Sequence, residues 1–145
     1  MSSVADSTGI QVARLTGSLG AEVRGVALAE ITPPIVEAVK SLLREHLVLF
    51  FPEQHLQPQE HIAFGRCFGE LEAHPHLGWS AEFPELFQLH AMGGEGALAD
   101  EWHSDLTCKD EPSTYSILQV IKMPPYGGDT MWTNACKAYE RLSAP

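Results

Sequence analysis

Histidine stops early in this chain. None of the seven lies beyond His103, so the remaining residues offer no imidazole to a metal or a proton relay. Arginine is almost as scarce there, with only Arg141 downstream. Cysteine is limited to Cys67, Cys108 and Cys136. An odd count at wide spacing excludes a disulfide framework and fits a reducing compartment, so a cytoplasmic location is expected. Basic charge is also short: nine Lys and Arg stand against 19 Asp and Glu, a net charge of −10. The basic residues are scattered, which argues against a nucleic-acid partner. A small anionic substrate remains compatible, because one local cation can overrule the global field. No apolar run reaches membrane-spanning length. Met1 to Gly9 has neither the basic nor the apolar region of a secretory signal, so no membrane partner is expected.

What is present suffices for one domain. The chain has 145 residues, 44% of them hydrophobic and 19% charged, an ordinary globular composition. There is no internal repeat. Residues 1–9 are expected to be a disordered tail, and 10–145 the domain. Ile10 to Leu15 alternates like a half-buried strand, Gly17 and Gly20 mark a turn, and Ala21 to Leu28 returns as a second strand. Thr32 is placed to N-cap a helix opened by Pro33, whose Ile35, Val39, Leu42, Leu43 and His46 form one buried stripe. Leu47 to Phe51 is a short buried strand closed by Pro52. Pro58 opens a second helix to about Phe68, ended by Gly69. Further strands are expected at Leu86–Ala91, Thr114–Lys122 and Thr130–Thr133, with a Gly93-Gly94-Glu95-Gly96 loop between the first two. Asn134 is a candidate N-cap for a helix over 135–142. The pattern is mixed α/β.

The densest chemical signal is Trp102-His103-Ser104-Asp105. Side chains two apart on an extended chain share a face, so one imidazole nitrogen and one carboxylate oxygen can converge. That is two-thirds of the two-His, one-carboxylate triad that holds non-haem Fe(II). Alone, the tripeptide is weak evidence and reads better as a surface His beside a turn Asp. Trp102 offers an apolar wall. Among the other histidines, His46 suits a helix C-terminus, His55 and His61 are expected to face water, and His90 is the nearest competitor for a third ligand.

Downstream of a predicted strand comes Gly127-Gly128-Asp129-Thr130-Met131-Trp132. Together with Trp102-His103-Ser104-Asp105, it resembles the taurine dioxygenase and chlorophenoxyacetate dioxygenase (TauD/TfdA) family of Fe(II)- and 2-oxoglutarate-dependent oxygenases. Further pieces match in the family's order. They are Val48-Leu49-Phe50-Phe51 with a Pro-x-Gln turn, Phe64-Gly65-Arg66-x-Phe68-Gly69-Glu70-Leu71, His74-Pro75, and Ala138-Tyr139-Glu140-Arg141-Leu142-Ser143. The resemblance implies a double-stranded β-helix (jelly roll of the clavaminate-synthase kind) with N-terminal strands and flanking helices. This chain would hold about four of its eight strands, the amino-terminal portion of the catalytic domain. It implies His103 and Asp105 as iron ligands, with binding that weakens as pH falls. Thr130 would hold a 2-oxoglutarate carboxylate, or else is simply a strand residue. His74 would contact substrate, or else sits in an exposed loop. Gly127 and Gly128 read as turn formers, Asp129 as a turn cap and Arg141 as a solvated helix residue.

The implied reaction uses Fe(II), 2-oxoglutarate and dioxygen to hydroxylate a small, anionic substrate: a sulfonate, a sulfate ester or an aryloxy acid. Leu77 and Ala99 replace polar residues that would contact taurine, which points away from taurine itself. The family's distal His and its 2-oxoglutarate-binding Arg have no counterpart here. Low activity and stability, or association into a homo-oligomer, are therefore expected of the chain alone. Two other classes compete. One is a cupin-like metal- or sugar-binding module using His103 and Asp105 with His74 or His90. The other is a non-catalytic β-rich interaction domain.

Overall fold

The computed structural model describes residues 9–72, 81–89 and 101–143. The expected tail, the Gly93–Gly96 loop, His74 and His90 fall partly or wholly outside these residues. The chain forms two compact units, Met1–His55 with Val120–Pro145, and Leu56–Gln119. The first combines helices with a small sheet, the second has a helix, and the mixed α/β expectation holds.

The first unit is organised by a three-stranded sheet in the order β1-β2-β3. Strand β1 (Gln11–Arg14) runs antiparallel to β2 (Ala21–Arg24), pairing Gln11 with Arg24 and Arg14 with Ala21. Strand β3 (Leu49–Phe50) lies parallel to β2. Parallel neighbours need a crossover, and helix α1 (Pro33–His46) supplies it. On α1, Val36, Ala38, Val39 and His46 are buried. Ile35 and Leu42 pack on a core of Ile10, Val23 and Ala38. Val23 and Val39 are the largest fully buried side chains, each contributing about 1.5–2 kcal/mol by leaving water.

Two local expectations need correction. Thr32 precedes α1 but makes no side-chain cap; only its carbonyl takes part, accepting from the Val36 N–H at 2.9 Å. Strand β1 forms, yet all four of its residues are exposed. Only Ile10, just before it, enters the core. Periodicity located the strand correctly, but β1 lies at the sheet edge, where alternation does not guarantee cover.

Helix α1 ends abruptly. The Val48 N–H donates to the His46 carbonyl at 2.8 Å, and Leu47 between them sits at φ 66, ψ −35. This is a γ-turn of the rare, strained kind. The same His46 carbonyl accepts from Gly20, and Val48 accepts from Ala21, so the turn leads directly into the sheet. Gln54 then ties the returning chain down. Its amide donates to the carbonyls of Val26 and Pro52, and its Oε1 accepts from the Leu28 N–H. Gly25 is required by its surroundings. Its φ is +77, and an added Cβ would lie 2.3 Å from the Gly9 carbonyl oxygen.

Helix α3 (Ala135–Glu140) belongs to this unit and begins as expected. The Asn134 side chain accepts from the Lys137 N–H at 3.0 Å and donates to the Ser18 carbonyl at 3.0 Å. Trp132 meets Phe50 edge-on, with centroids 5.3 Å apart.

The second unit centres on helix α2 (Pro58–Arg66), with Ile62, Phe64 and Gly65 buried. Its start is fixed by Glu60, whose carboxylate accepts from the Gln57 N–H at 2.7 Å, the pattern of a capping box.

The strands expected at 114–122 and 130–133 are not strands, nor are residues 86–89 of the one expected at 86–91. The composition suits strands, but a strand exists only where a neighbour completes its hydrogen-bond ladder, and among the described residues none does. In keeping with this, Val120, Ile121, Met123, Tyr126, Met131, Tyr139 and Leu142 are each more than half exposed.

Candidate metal centre

The loop carrying Trp102-His103-Ser104-Asp105 lies in the second unit. It is not a strand, so the pleat invoked for convergence is absent. The two groups converge all the same. His103 Nε2 lies 3.5 Å from Asp105 Oδ1. His103 Nδ1 is 2.8 Å from the Glu101 carbonyl oxygen. A carbonyl can only accept, so Nδ1 carries the hydrogen. When the ring is neutral, Nε2 presents its lone pair to a carboxylate oxygen. Two acceptors facing each other call for a proton or a metal ion between them.

The spacing suits one. Ligand atoms each about 2.1 Å from a common ion sit about 3.0 Å apart at a right angle and about 3.4 Å at a tetrahedral one. The other carboxylate oxygen, Oδ2, accepts from Ser116 Oγ at 2.6 Å. Both residues are about half exposed, which leaves room for further ligands. Among the described residues, no third His, Cys, Asp or Glu joins them.

The loop is anchored on both sides. After Asp105 the chain turns at Leu106, φ 52, and the Lys109 N–H donates back to the Leu106 carbonyl at 3.0 Å. The Glu72 carboxylate accepts from Lys109 Nζ and from Ser113 Oγ. These bonds, Lys109's the larger, hold the Glu72 carboxyl below its ordinary range. Residues 115–119 lie on α2. Tyr115 meets Phe68 edge-on at 5.5 Å, Ile117 reaches His61 and the space beside Gly65, and Gln119 donates to the Leu56 carbonyl at 3.1 Å.

His61 is therefore a correction. Expected to face water, it is half-buried. Burial lowers its imidazole pKa from the ordinary 6.5, with the hydrogen bond to the Ile117 backbone opposing. As pH drops below 6.5, the unfolded chain binds a proton at this position before the folded one does. Stability present above pH 6.5 is thus lost on acidification. On going from about pH 7.5 to about 5, the wild-type melting temperature should fall further than that of His61→Gln, which cannot titrate. Parallel melting curves for the two proteins would contradict this. His46, by contrast, is buried as its place in the helix stripe implies, only 5% exposed, with Nε2 3.8 Å from Glu45.

Other expected residues stand as follows. Thr130 is exposed and belongs to the first unit. Gly127 and Gly128, at φ 76 and 74, form the turn before it, as expected. Trp102 is no wall, being two-thirds exposed. Arg141 caps the exposed end of α3. Cys67, Cys108 and Cys136 are free, and among the described residues no helix is long and apolar enough to cross a membrane. Ser116 was not anticipated. The alternation of the strand expected over 114–122, applied to its even-numbered residues, was the only signal for it.

Residues 11–145 match the family described as taurine catabolism dioxygenase TauD, TfdA. The chain belongs to that family. Among its TauD/TfdA relatives, it is 37% identical to an alpha-ketoglutarate-dependent sulfate ester dioxygenase of Pseudomonas putida. That match spans 138 residues, 94% of this chain and 45% of the relative. It is 38% identical over 135 residues to an alkylsulfatase of Acinetobacter baylyi, covering 92% of this chain and 42% of the relative. A solved taurine dioxygenase from Burkholderia xenovorans superposes with a TM-score of 0.80 at 40% identity, over 94% of this chain and 49% of that one. The chain thus spans about half the length of the TauD/TfdA relatives it matches.

Proposed function

We propose that this chain is the amino-terminal portion of the catalytic domain of an Fe(II)- and 2-oxoglutarate-dependent dioxygenase, with an alkyl sulfate ester as its foremost substrate class. The observation that carries the proposal is the His103–Asp105 pair, 3.5 Å apart. Its outer atoms are already committed to Glu101 and Ser116, so one nitrogen and one oxygen remain for a metal. The sulfate ester follows from the relatives named for it at 37% and 38% identity; sulfonates and aryloxy acids are the comparison classes.

In this assignment His103 and Asp105 would hold the ferrous ion. Thr130 donates its hydroxyl to a carboxylate of 2-oxoglutarate, and His74 contacts the substrate anion. Iron and 2-oxoglutarate, when bound, would supply the oxidising power for placing one oxygen atom of dioxygen in a substrate C–H bond, the other entering succinate as 2-oxoglutarate loses carbon dioxide. With an alkyl sulfate, hydroxylation of the carbon bearing the ester oxygen gives an adduct that breaks its C–O bond to release an aldehyde and hydrogen sulfate. The segments at 86–91, 114–122 and 130–133 become strands of a jelly roll once further chain completes their ladders. Until then, the exposed apolar side chains of residues 120–142 favour association of the isolated chain with a second copy.

The test is product analysis. Given Fe(II), 2-oxoglutarate and an alkyl sulfate, these 145 residues alone should form no succinate above the metal-only background. Joined to the carboxy-terminal half of the sulfate ester dioxygenase relative, they should release succinate and sulfate in equal amounts. Enzymatic turnover by the 145 residues alone would overturn the partial-domain assignment. A joined protein that folds and binds Fe(II) yet forms no succinate would overturn the dioxygenase assignment.

A further inference from the structure

Ser116 stands out in the second unit because its neighbours point elsewhere. Ile117 is engaged with α2, and Tyr115 and Gln119 with the chain just past its end and just before its cap, at Phe68 and Leu56. On a chain that alternates sides, the residues between them face the opposite way. Ser116 does so, and its hydroxyl lies 2.6 Å from Asp105 Oδ2. Helix α2 thereby fixes the segment, and the segment aims one hydroxyl at the carboxylate.

We propose that Ser116 is a positioning residue for the metal centre, holding Asp105 Oδ2 so that Oδ1 stays turned toward His103 Nε2. The role rests on the metal-centre assignment above. A carboxylate on a half-exposed loop can rotate about its terminal torsion, which is broad. A partial rotation would turn Oδ1 away from His103 and open the 3.5 Å gap. A hydrogen bond to a charged acceptor is about twice as strong as a neutral one, and here it selects one orientation. The hydroxyl also occupies one lone pair of Oδ2, which makes that oxygen a poorer competitor for the ion. Outer partners of metal ligands typically change affinity about 10- to 100-fold.

Threonine and valine at position 116 provide the test, since they have the same shape and differ in the hydroxyl alone. Mn(II) serves as the probe, its free signal followed by electron paramagnetic resonance in titrations of the whole 145-residue chain. Ser116→Thr should bind within about threefold of wild type, and Ser116→Val about 10-fold more weakly or worse. Equal melting temperatures for the pair would show that packing is not the cause. Equal Mn(II) affinity for Thr and Val variants, with His103→Ala binding lost, would overturn the role of Ser116 and leave the metal centre standing. Absence of saturable Mn(II) binding in wild type would overturn the metal centre itself, and this role with it.

Discussion

His103→Ala should weaken Mn(II) binding by more than roughly 100-fold, beyond the ~10- to 100-fold range for losing an outer partner of a ligand. The geometry explains the size. Among the described residues only two side chains converge, so removing the imidazole deletes half of the donors they offer. No other His, Cys, Asp or Glu among the described residues stands by to replace it. The Nδ1 bond to Glu101 leaves Nε2 as the only ring atom available, so the ring cannot bind by its other nitrogen without breaking that bond. Asp105→Asn should be comparably damaging despite its near-identical shape, because the amide lacks the charge that draws a divalent cation. Titration calorimetry at neutral pH, with melting curves alongside, measures both. Unchanged affinity in His103→Ala would show that the ion, if bound at all, sits elsewhere.

Gly25→Ala should destabilise the first unit by about 2–3 kcal/mol, the sum of a left-handed backbone and a forced contact. The Cβ would enter at 2.3 Å from the Gly9 carbonyl oxygen. That obstacle is backbone, so it cannot rotate aside as a side chain could. Relief would require the chain entering β1 to move, with Ile10 beside it in the core. Gly17→Ala is the matched control. Nothing lies within 4 Å of its Cβ position and its φ is not in the left-handed range, so its effect should stay within about 0.5 kcal/mol. Urea denaturation separates the two, and equal midpoints would refute the steric account.

Much of this molecule was legible in its residues where the information was local. Pro33 and Pro58 marked the first residues of two helices, and Asn134 marked the cap of a third. The buried stripe on α1 followed from its spacing. What failed depended on partners. Thr114 to Lys122 has strand composition but no neighbouring strand among the described residues, and β1 alternates without burial because it lies at an edge. His61 read as a surface residue because its backbone hydrogen-bond partner, Ile117, is distant in sequence. At the candidate site, the pairing of His103 with Asp105 was anticipated for a geometric reason that does not hold. The loop, rather than a pleat, brings them together, through bonds from Glu101 and Ser116 that the tripeptide itself does not disclose.

The γ-turn at Leu47 leaves no slack between α1 and β3. A residue inserted into α1 would advance its end by about 1.5 Å and rotate it by about 100°. The His46 carbonyl would swing away from both Gly20 and Val48. Helix length is therefore geared to sheet register here, and evolution can lengthen this crossover only by whole turns or by abandoning the turn that ends it.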